Sequence, residues 1–472
     1  MIKVRAKSLF VALVTLLLLI LLVPKVFDLV LALVSRSSFE TIGLLSIAVL
    51  VILLLLRIPI AIALGLVSFC GIWILIGINP AMGMLEAVAY NFAASWTLSA
   101  VPMFLMMGYV CYHAGLTKGV FAASRIWLDR LPGGVAIASV FACAGFAAVT
   151  GSSIACAAAM GRIAIPEMIR FNYAPSLATG VIAAAGTLGA LIPPSIVLIL
   201  FGIFAKVNIG QLFLGGIGVG LLTAFVYSAM IIIRVKLNPA LAPPVTERHS
   251  MMEKFESLRP TWPLGVIVIV ILGGMFTGIF SATEAGAVGA TSSILVAIYN
   301  GSMTRKVLLD STVETLTTTG TLFIIAIGAN LLTRLLSLSG TGDLFTSFIA
   351  GLDAGPTMIL IGIAVVYLIL GMFLEPIGAM LLTLPVFLPI LGDAGINLVF
   401  FGVFLAKLLE MGMITPPIGI NVFVIKGVVG NLTTLTQIFK GIIWFLIADV
   451  VVIALILAFP DIITYLPFKL LD

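Results

Sequence analysis

The residues best placed to act on a solute are two proline pairs inside apolar stretches. Pro193-Pro194 lies within Gly186–Leu200, GTLGALIPPSIVLIL, and Pro416-Pro417 within Met411–Val422, MGMITPPIGINV. Proline has no N–H, so in a continuous helix the carbonyls four residues earlier lose their partners. Those are Gly189 and Ala190 at the first pair, and Gly412 and Met413 at the second. In hydrocarbon an unpaired backbone group is expensive, so a membrane helix broken in this way needs something to occupy the break. One Gly-x-x-x-Pro-Pro is weak. Two, in corresponding places of two halves, are the sequence sign of a binding site built from broken helices. The competing reading is two proline-kinked helices that only pack.

The elements that carry these breaks are set by composition. Of the 472 residues, 62% are hydrophobic and 9% charged, against about 25% charged in a soluble domain, and mean hydropathy is +1.31. The chain is therefore expected to be a polytopic membrane protein. The net charge of +5 is small and points to no nucleic acid. Cys70, Cys111, Cys143 and Cys156 fall in apolar segments without CxxC spacing, as buried small side chains do. The sequence has two histidines and no metalloprotease, nucleophile-elbow or phosphate-loop motif. Transport, if that is the function, has to draw on an ion gradient or a partner.

Along the chain, Lys3, Arg5 and Lys7 precede an apolar run to about Leu33. Residues 1–37 are read as an extra anchoring span, with a signal peptide ending near Val30-Leu31-Ala32 as the alternative. A first repeat is expected over 38–239. It comprises spans ending at Leu56 and starting at Ile60, an interfacial helix from Asn79, a span Ala100–His113 and a surface helix Leu116–Leu131. A re-entrant hairpin over about 135–170 and a broken helix over about 176–205 follow. Two features mark the hairpin: helices too short for a span of about 20 residues, and basic residues at both flanks. The stretch 240–261 is a loop, cytoplasmic by its Lys and Arg content. A second repeat over 262–461 follows the same order, with a surface helix near Val307–Leu316, a span Leu322–Leu338 and a surface helix Gly342–Leu352. Its hairpin, about 356–392, has acidic flanks at Asp353 and Asp393, and its broken helix covers about 397–425. Residues 462–472 form a tail. Reversed charge signs at corresponding places predict inverted-topology repeats.

The chain after about residue 38 resembles the large membrane subunit of tripartite ATP-independent periplasmic (TRAP) transporters. The resemblance rests on TGSSIACAAAMG (150–161), AAAGTLGALIPPSIVLI (183–199), FLGG (213–216), GIFSATEAGAVGA (278–290), GMFLEP (371–376) and EMGMITPPIGINVFV (410–424), in that order. It implies an all-α, sodium-driven elevator transporter whose hairpins and broken helices move as a transport domain within a scaffold. It also implies an inner-membrane location, a periplasmic solute-binding protein and a small four-helix membrane subunit as partners, and an organic acid as substrate. The C-terminus would then be periplasmic, and the N-terminus cytoplasmic if residues 1–37 are retained. The runner-up is a stand-alone sodium–carboxylate carrier of the same superfamily; a membrane enzyme or a scaffold is the rival from another class.

Sodium takes hard oxygen ligands, as other hard cations do. One site is expected from Thr150 and Ser153 with carbonyls of Gly189, Ile192 and Pro194, and a second from Gly371, Gly412 and Thr415. The serines at the first tip also suit helix N-capping. Helix N-termini at both tips favour an anion between them. Ser152, Glu375, Asn421 and Arg162 are the substrate candidates. Glu375 either neutralises a cation or is held neutral. Arg162 stands where the family more often has a small residue. It lies about ten residues, roughly 15 Å of helix, from the tip, which favours a snorkelling side chain over a carboxylate contact. Lys407 and Glu410, spaced i,i+3, are expected to pair, and Arg334, Glu284 and Asp449 to be structural.

Overall fold

The computed structural model describes residues 38–470 apart from 57, 244–248 and 351–354. The expected anchor over 1–37, the turn at Arg57 and the acidic flank at Asp353 lie outside the described residues. All regular structure described is helical, and six helices are long and apolar enough to cross a membrane.

The described chain falls into two compact units, which do not follow the repeat boundaries. One unit contains the helices Phe39–Leu55 and Ile60–Ile76, most of Ile78–Ala93, and the stretch Ile325–Ala350. The other takes Asn91–Ile324 and the chain from Gly351 onward, and it holds both hairpins and both broken helices.

The first hairpin pairs helix Gly134–Thr150 with helix Ser153–Arg170. Gly133 and Gly151, at φ +74° and +58°, bound its first helix. Gly151 terminates it in the left-handed conformation that glycine adopts without strain. Ser152 is extended and caps the return helix, its Oγ accepting from Ala155 N at 3.5 Å. The second hairpin pairs Pro356–Gly371 with Pro376–Asp393, each opening on a proline whose missing N–H costs nothing in a first turn.

The first broken helix runs Pro175–Ala185, tightens to a 3₁₀ turn over Gly186–Ala190 and resumes at Ile196–Ala205. Ser195 bridges the gap: its Oγ donates to Ala190 O at 2.5 Å and accepts from Leu198 N at 3.3 Å. The second broken helix runs Leu398–Gly412 and Ile420–Val429. Each is followed by a long apolar helix, Ile209–Leu237 or Leu435–Ala458. Hairpin, broken helix and long helix thus recur in order.

Ala183, Ala184 and Ala185 are fully buried and successive, so the Pro175–Ala185 helix is covered on all sides. Its nearest cover comes from the other half: a Cβ on Gly180 would lie 2.7 Å from Gly441 C, so the two backbones touch.

The expected surface helix at Val307–Leu316 and separate span at Leu322–Leu338 are instead one 35-residue helix, Arg305–Ser339. Hydroxyls of the polar stretch are satisfied along the helix itself. Thr312, Thr315, Thr317 and Thr321 each donate to the carbonyl four residues earlier.

Candidate transport cavity

Both hairpin tips and both broken helices border one cavity of about 430 Å³. Thr150, Ser152 and Ser153 enter from the first tip, and Glu375 with Pro376 from the second. The broken helices add Ala190, Ile196, Glu410 and Met413. The remaining wall comes from helix Ala100–His113 and the long helix, where Tyr109 OH and Thr318 Oγ1 are 2.8 Å apart.

Each tip sits on the break of its own half through glycine. A Cβ on Gly189 would lie 2.7 Å from Ser152 O, and one on Gly151 2.6 Å from Pro194 O. At the second tip a Cβ on Gly371 would lie 2.9 Å from Gly412 Cα, and one on Gly412 2.6 Å from Gly371 Cα. Only glycine permits backbone on backbone at these distances. The contacts hold the first tip, which carries the Thr150 and Ser153 hydroxyls, against the break that carries Pro194 O.

The breaks differ in how their carbonyls are satisfied. Ala190 O is taken by Ser195. At the second break Gly412 O accepts from Thr415 N at 3.1 Å and Met413 O from Asn421 N at 3.1 Å. The carbonyls expected to be orphaned there are therefore recaptured by the chain beyond the prolines. The breaks also differ in exposure: Pro193, Pro194 and Ser195 are buried, whereas Pro416, Pro417 and Ile418 are exposed. Thr415 is half-buried and its Oγ1 donates to Met411 O at 2.7 Å, which leaves both lone pairs of the hydroxyl free. We expect Thr415→Val to weaken apparent sodium affinity more than it lowers folded yield, because valine keeps the shape and removes the oxygen. Sodium titration of uptake against folded yield is the check, and unchanged sodium dependence in a well-folded variant would leave Thr415 a packing residue.

Two substrate candidates line the cavity and two do not. Ser152 and Glu375 are in its wall, with Glu375 exposed at the N-cap of its helix. Asn421, expected to meet substrate or hairpin, is fully buried and its Nδ2 donates to Ala183 O at 3.3 Å. Arg162 is exposed and outside the cavity wall.

The expected Lys407–Glu410 pair is not formed. Lys407 Nζ bonds Asp449 Oδ1 at 2.5 Å, and Tyr227 OH donates to the same oxygen at 2.7 Å. All three side chains are fully buried. Glu410 instead accepts from Ser153 Oγ at 2.5 Å, joining the second broken helix to the first hairpin tip. The two acids are one turn from Lys407 or across a helix interface, and the interface partner wins. Glu284 closes a capping box with Ser281, and Arg334 is exposed.

Sequence reasoning passed over Glu410, Glu314, Tyr109 and Tyr112 as cavity residues. Glu410 and Glu375 stand at the edges of the glycine-proline motifs, and that adjacency was the available signal. Among the described residues three carboxylates, those of Glu314, Glu375 and Glu410, line the cavity, and no lysine or arginine does.

Paired hairpins and paired broken helices closing on one cavity that holds three carboxylates define a membrane transport protein. The family model described as the DctM component of the tripartite ATP-independent periplasmic transporter matches residues 47–462, and the chain belongs to that family. It is similar to the C4-dicarboxylate TRAP transporter large permease protein DctM of Pseudomonas aeruginosa, 36% identical over 79% of this chain and 84% of that one. It is also similar to the sialic acid TRAP transporter permease protein SiaT of Haemophilus influenzae, 30% identical over 79% of this chain and 60% of that one. Among solved structures the Alcanivorax borkumensis YdaH transporter shares the fold, with a TM-score of 0.59 at 14% identity, covering 82% of this chain and 90% of that one.

Proposed function

We propose that this chain imports an organic acid together with sodium, receiving the acid from a periplasmic binding protein and carrying it by an elevator motion. The observation that carries the reading is the charge of the cavity. Among the described residues three glutamates line it without a cationic side chain. An anion enters such a site only if cations enter with it or if the carboxylates are neutralised. Helix N-termini at Ser153 and Pro376 add partial positive charge at both tips.

Sodium fits the donors present. The first ion takes Thr150 and Ser153 hydroxyls with carbonyls of the Gly189–Pro194 break. The second takes the Gly371–Gly412 contact and Thr415. Ser152 and Glu375 face the solute; Asn421 and Arg162 act at a distance from it. Named relatives that carry C4-dicarboxylates or sialic acid support a carboxylate as the cargo. Family membership supports a small four-helix membrane subunit as partner and an inner-membrane location. The periplasmic C-terminus follows from the basic, cytoplasmic loop around Arg234–Pro260.

With the partner subunit and a loaded binding protein, uptake into liposomes is expected to fall to the protein-free background when external sodium is replaced by potassium or choline. Equal uptake in all three salts overturns the proposal. Sodium-dependent uptake that needs no binding protein would make the chain a stand-alone symporter.

A further inference from the structure

A groove of about 470 Å³ lies between the C-terminal turns of the membrane-crossing helix Ile209–Leu237 and the middle of Leu435–Ala458, away from the transport cavity. Its walls are apolar, with Met230, Ile233 and Leu237 on one side and Ile447 and Val451 on the other. Ile233, Leu237, Ile447 and Val451 are each 45% exposed or more, so this flank is open to whatever surrounds the helices. A cation stands within it. The Arg234 guanidinium lies over the Trp444 ring at 4.9 Å, and its Nη1 is buried with no hydrogen-bond partner among the described residues.

We infer that this groove is a binding site for an anionic phospholipid. Arg234 is in the last turn of its helix, next to the polar connection at Asn238, which is the depth of lipid headgroups. Tryptophan is enriched at that level because its ring suits the boundary between hydrocarbon and water. Stacking on Trp444 orients the guanidinium, whose planar fork matches two phosphate oxygens. A buried guanidinium nitrogen without a partner is costly, and a lipid phosphate supplies the missing acceptor. The apolar walls then take an acyl chain. The Arg234 charge, with no carboxylate among the described residues of the groove wall, favours a lipid of net negative charge over a zwitterionic one. A partner helix would cover the same apolar flank. It would have to bring a carboxylate to Arg234 at headgroup depth, whereas the lipid carries its acceptor there already.

The test uses the full chain purified in detergent and native mass spectrometry with phosphatidylglycerol or phosphatidylcholine added. Wild type is expected to retain phosphatidylglycerol preferentially. Arg234→Gln should weaken that binding about tenfold, the loss of one charge-assisted hydrogen bond, and lower phosphatidylcholine binding by less, so that the preference between the two lipids shrinks. Arg259→Gln, which removes an exposed charge elsewhere, should bind as wild type does. Equal phosphatidylglycerol binding by wild type and Arg234→Gln overturns the inference, as does equal binding of the two lipids by wild type. A small membrane subunit lost from Arg234→Gln while lipid preference is kept assigns the groove to a protein and overturns it as well.

If Arg234→Gln does not fold, wild type decides. Brominated phosphatidylglycerol should quench its tryptophan fluorescence more than brominated phosphatidylcholine, and the excess should vanish in Trp444→Phe. Quenching that does not distinguish the lipids, or an excess that survives Trp444→Phe, overturns the site.

Discussion

Lys407→Met is expected to cost about 3–5 kcal/mol of stability, the loss seen when one partner of a buried ion pair is removed. Lys407 and Asp449 are both fully buried, with Nζ and Oδ1 2.5 Å apart. Methionine fills the space of the lysine stem but leaves the Asp449 carboxylate with only the Tyr227 hydroxyl, at 2.7 Å, as a donor. The charge is then stranded in a low-dielectric core, and the Ile209–Leu237, Leu398–Gly412 and Leu435–Ala458 helices lose their common tie. Lys407→Met/Asp449→Asn should recover most of the loss, because asparagine is neutral and still offers Tyr227 an acceptor oxygen. Thermal unfolding of the detergent-solubilised variants measures both effects. A single variant as stable as wild type, or a double variant no better than the single, would show that the pair does not hold the helices.

Gly412→Ala should abolish most uptake while leaving much of the protein folded. The new methyl carbon would lie 2.6 Å from Gly371 Cα and 2.9 Å from Gly371 C, whereas carbon atoms pack at about 3.5–4.0 Å. Both obstacles are backbone, so no rotamer change relieves them. The second hairpin tip has to back away from its helix by about 1 Å, at a cost on the order of 1–3 kcal/mol. The oxygens around that junction move with it. Gly427→Ala is the matched control on the same broken helix. It meets nothing within 4 Å and should gain up to about 1 kcal/mol of helix propensity. Uptake per folded molecule separates the two. Equal uptake by Gly412→Ala and wild type would mean that the glycine contact plays no part in transport.

The hairpins and broken helices were legible because each is written in local chemistry. Gly151 and Ser152 stop one helix and cap the next, and the proline pairs cannot continue a helix wherever they stand. The long helix Arg305–Ser339 was not legible as one element. Its threonines look like a surface stretch until their hydroxyls are seen to bond back to carbonyls four residues earlier. The partner of Lys407 was hidden for another reason. Glu410 is one turn away and Asp449 is 42 residues away, and spacing along a helix cannot rank a neighbour against a side chain on another helix. Asn421 was read as a substrate candidate, whereas its Nδ2 donates to Ala183 O, in the other half of the chain. Charge at the cavity was only half legible: the motifs contain Glu375 and Glu410, while Glu314 reaches the wall through the register of the long helix.

The contact of the Pro175–Ala185 helix with the other half bears on how the protein is made. Asn421 and Ala183 are 238 residues apart, and the Gly180–Gly441 backbone contact is wider still in sequence. At about 5–20 residues per second, ribosomal synthesis leaves the first half waiting for tens of seconds before its cover exists. During that interval Gly180 lacks its Gly441 cover and Ser153 lacks Glu410, while the first tip already has the break of its own half. The core of the first half therefore cannot be completed until the last long helix has been inserted, which separates membrane insertion from closure of the core in the birth of this transporter.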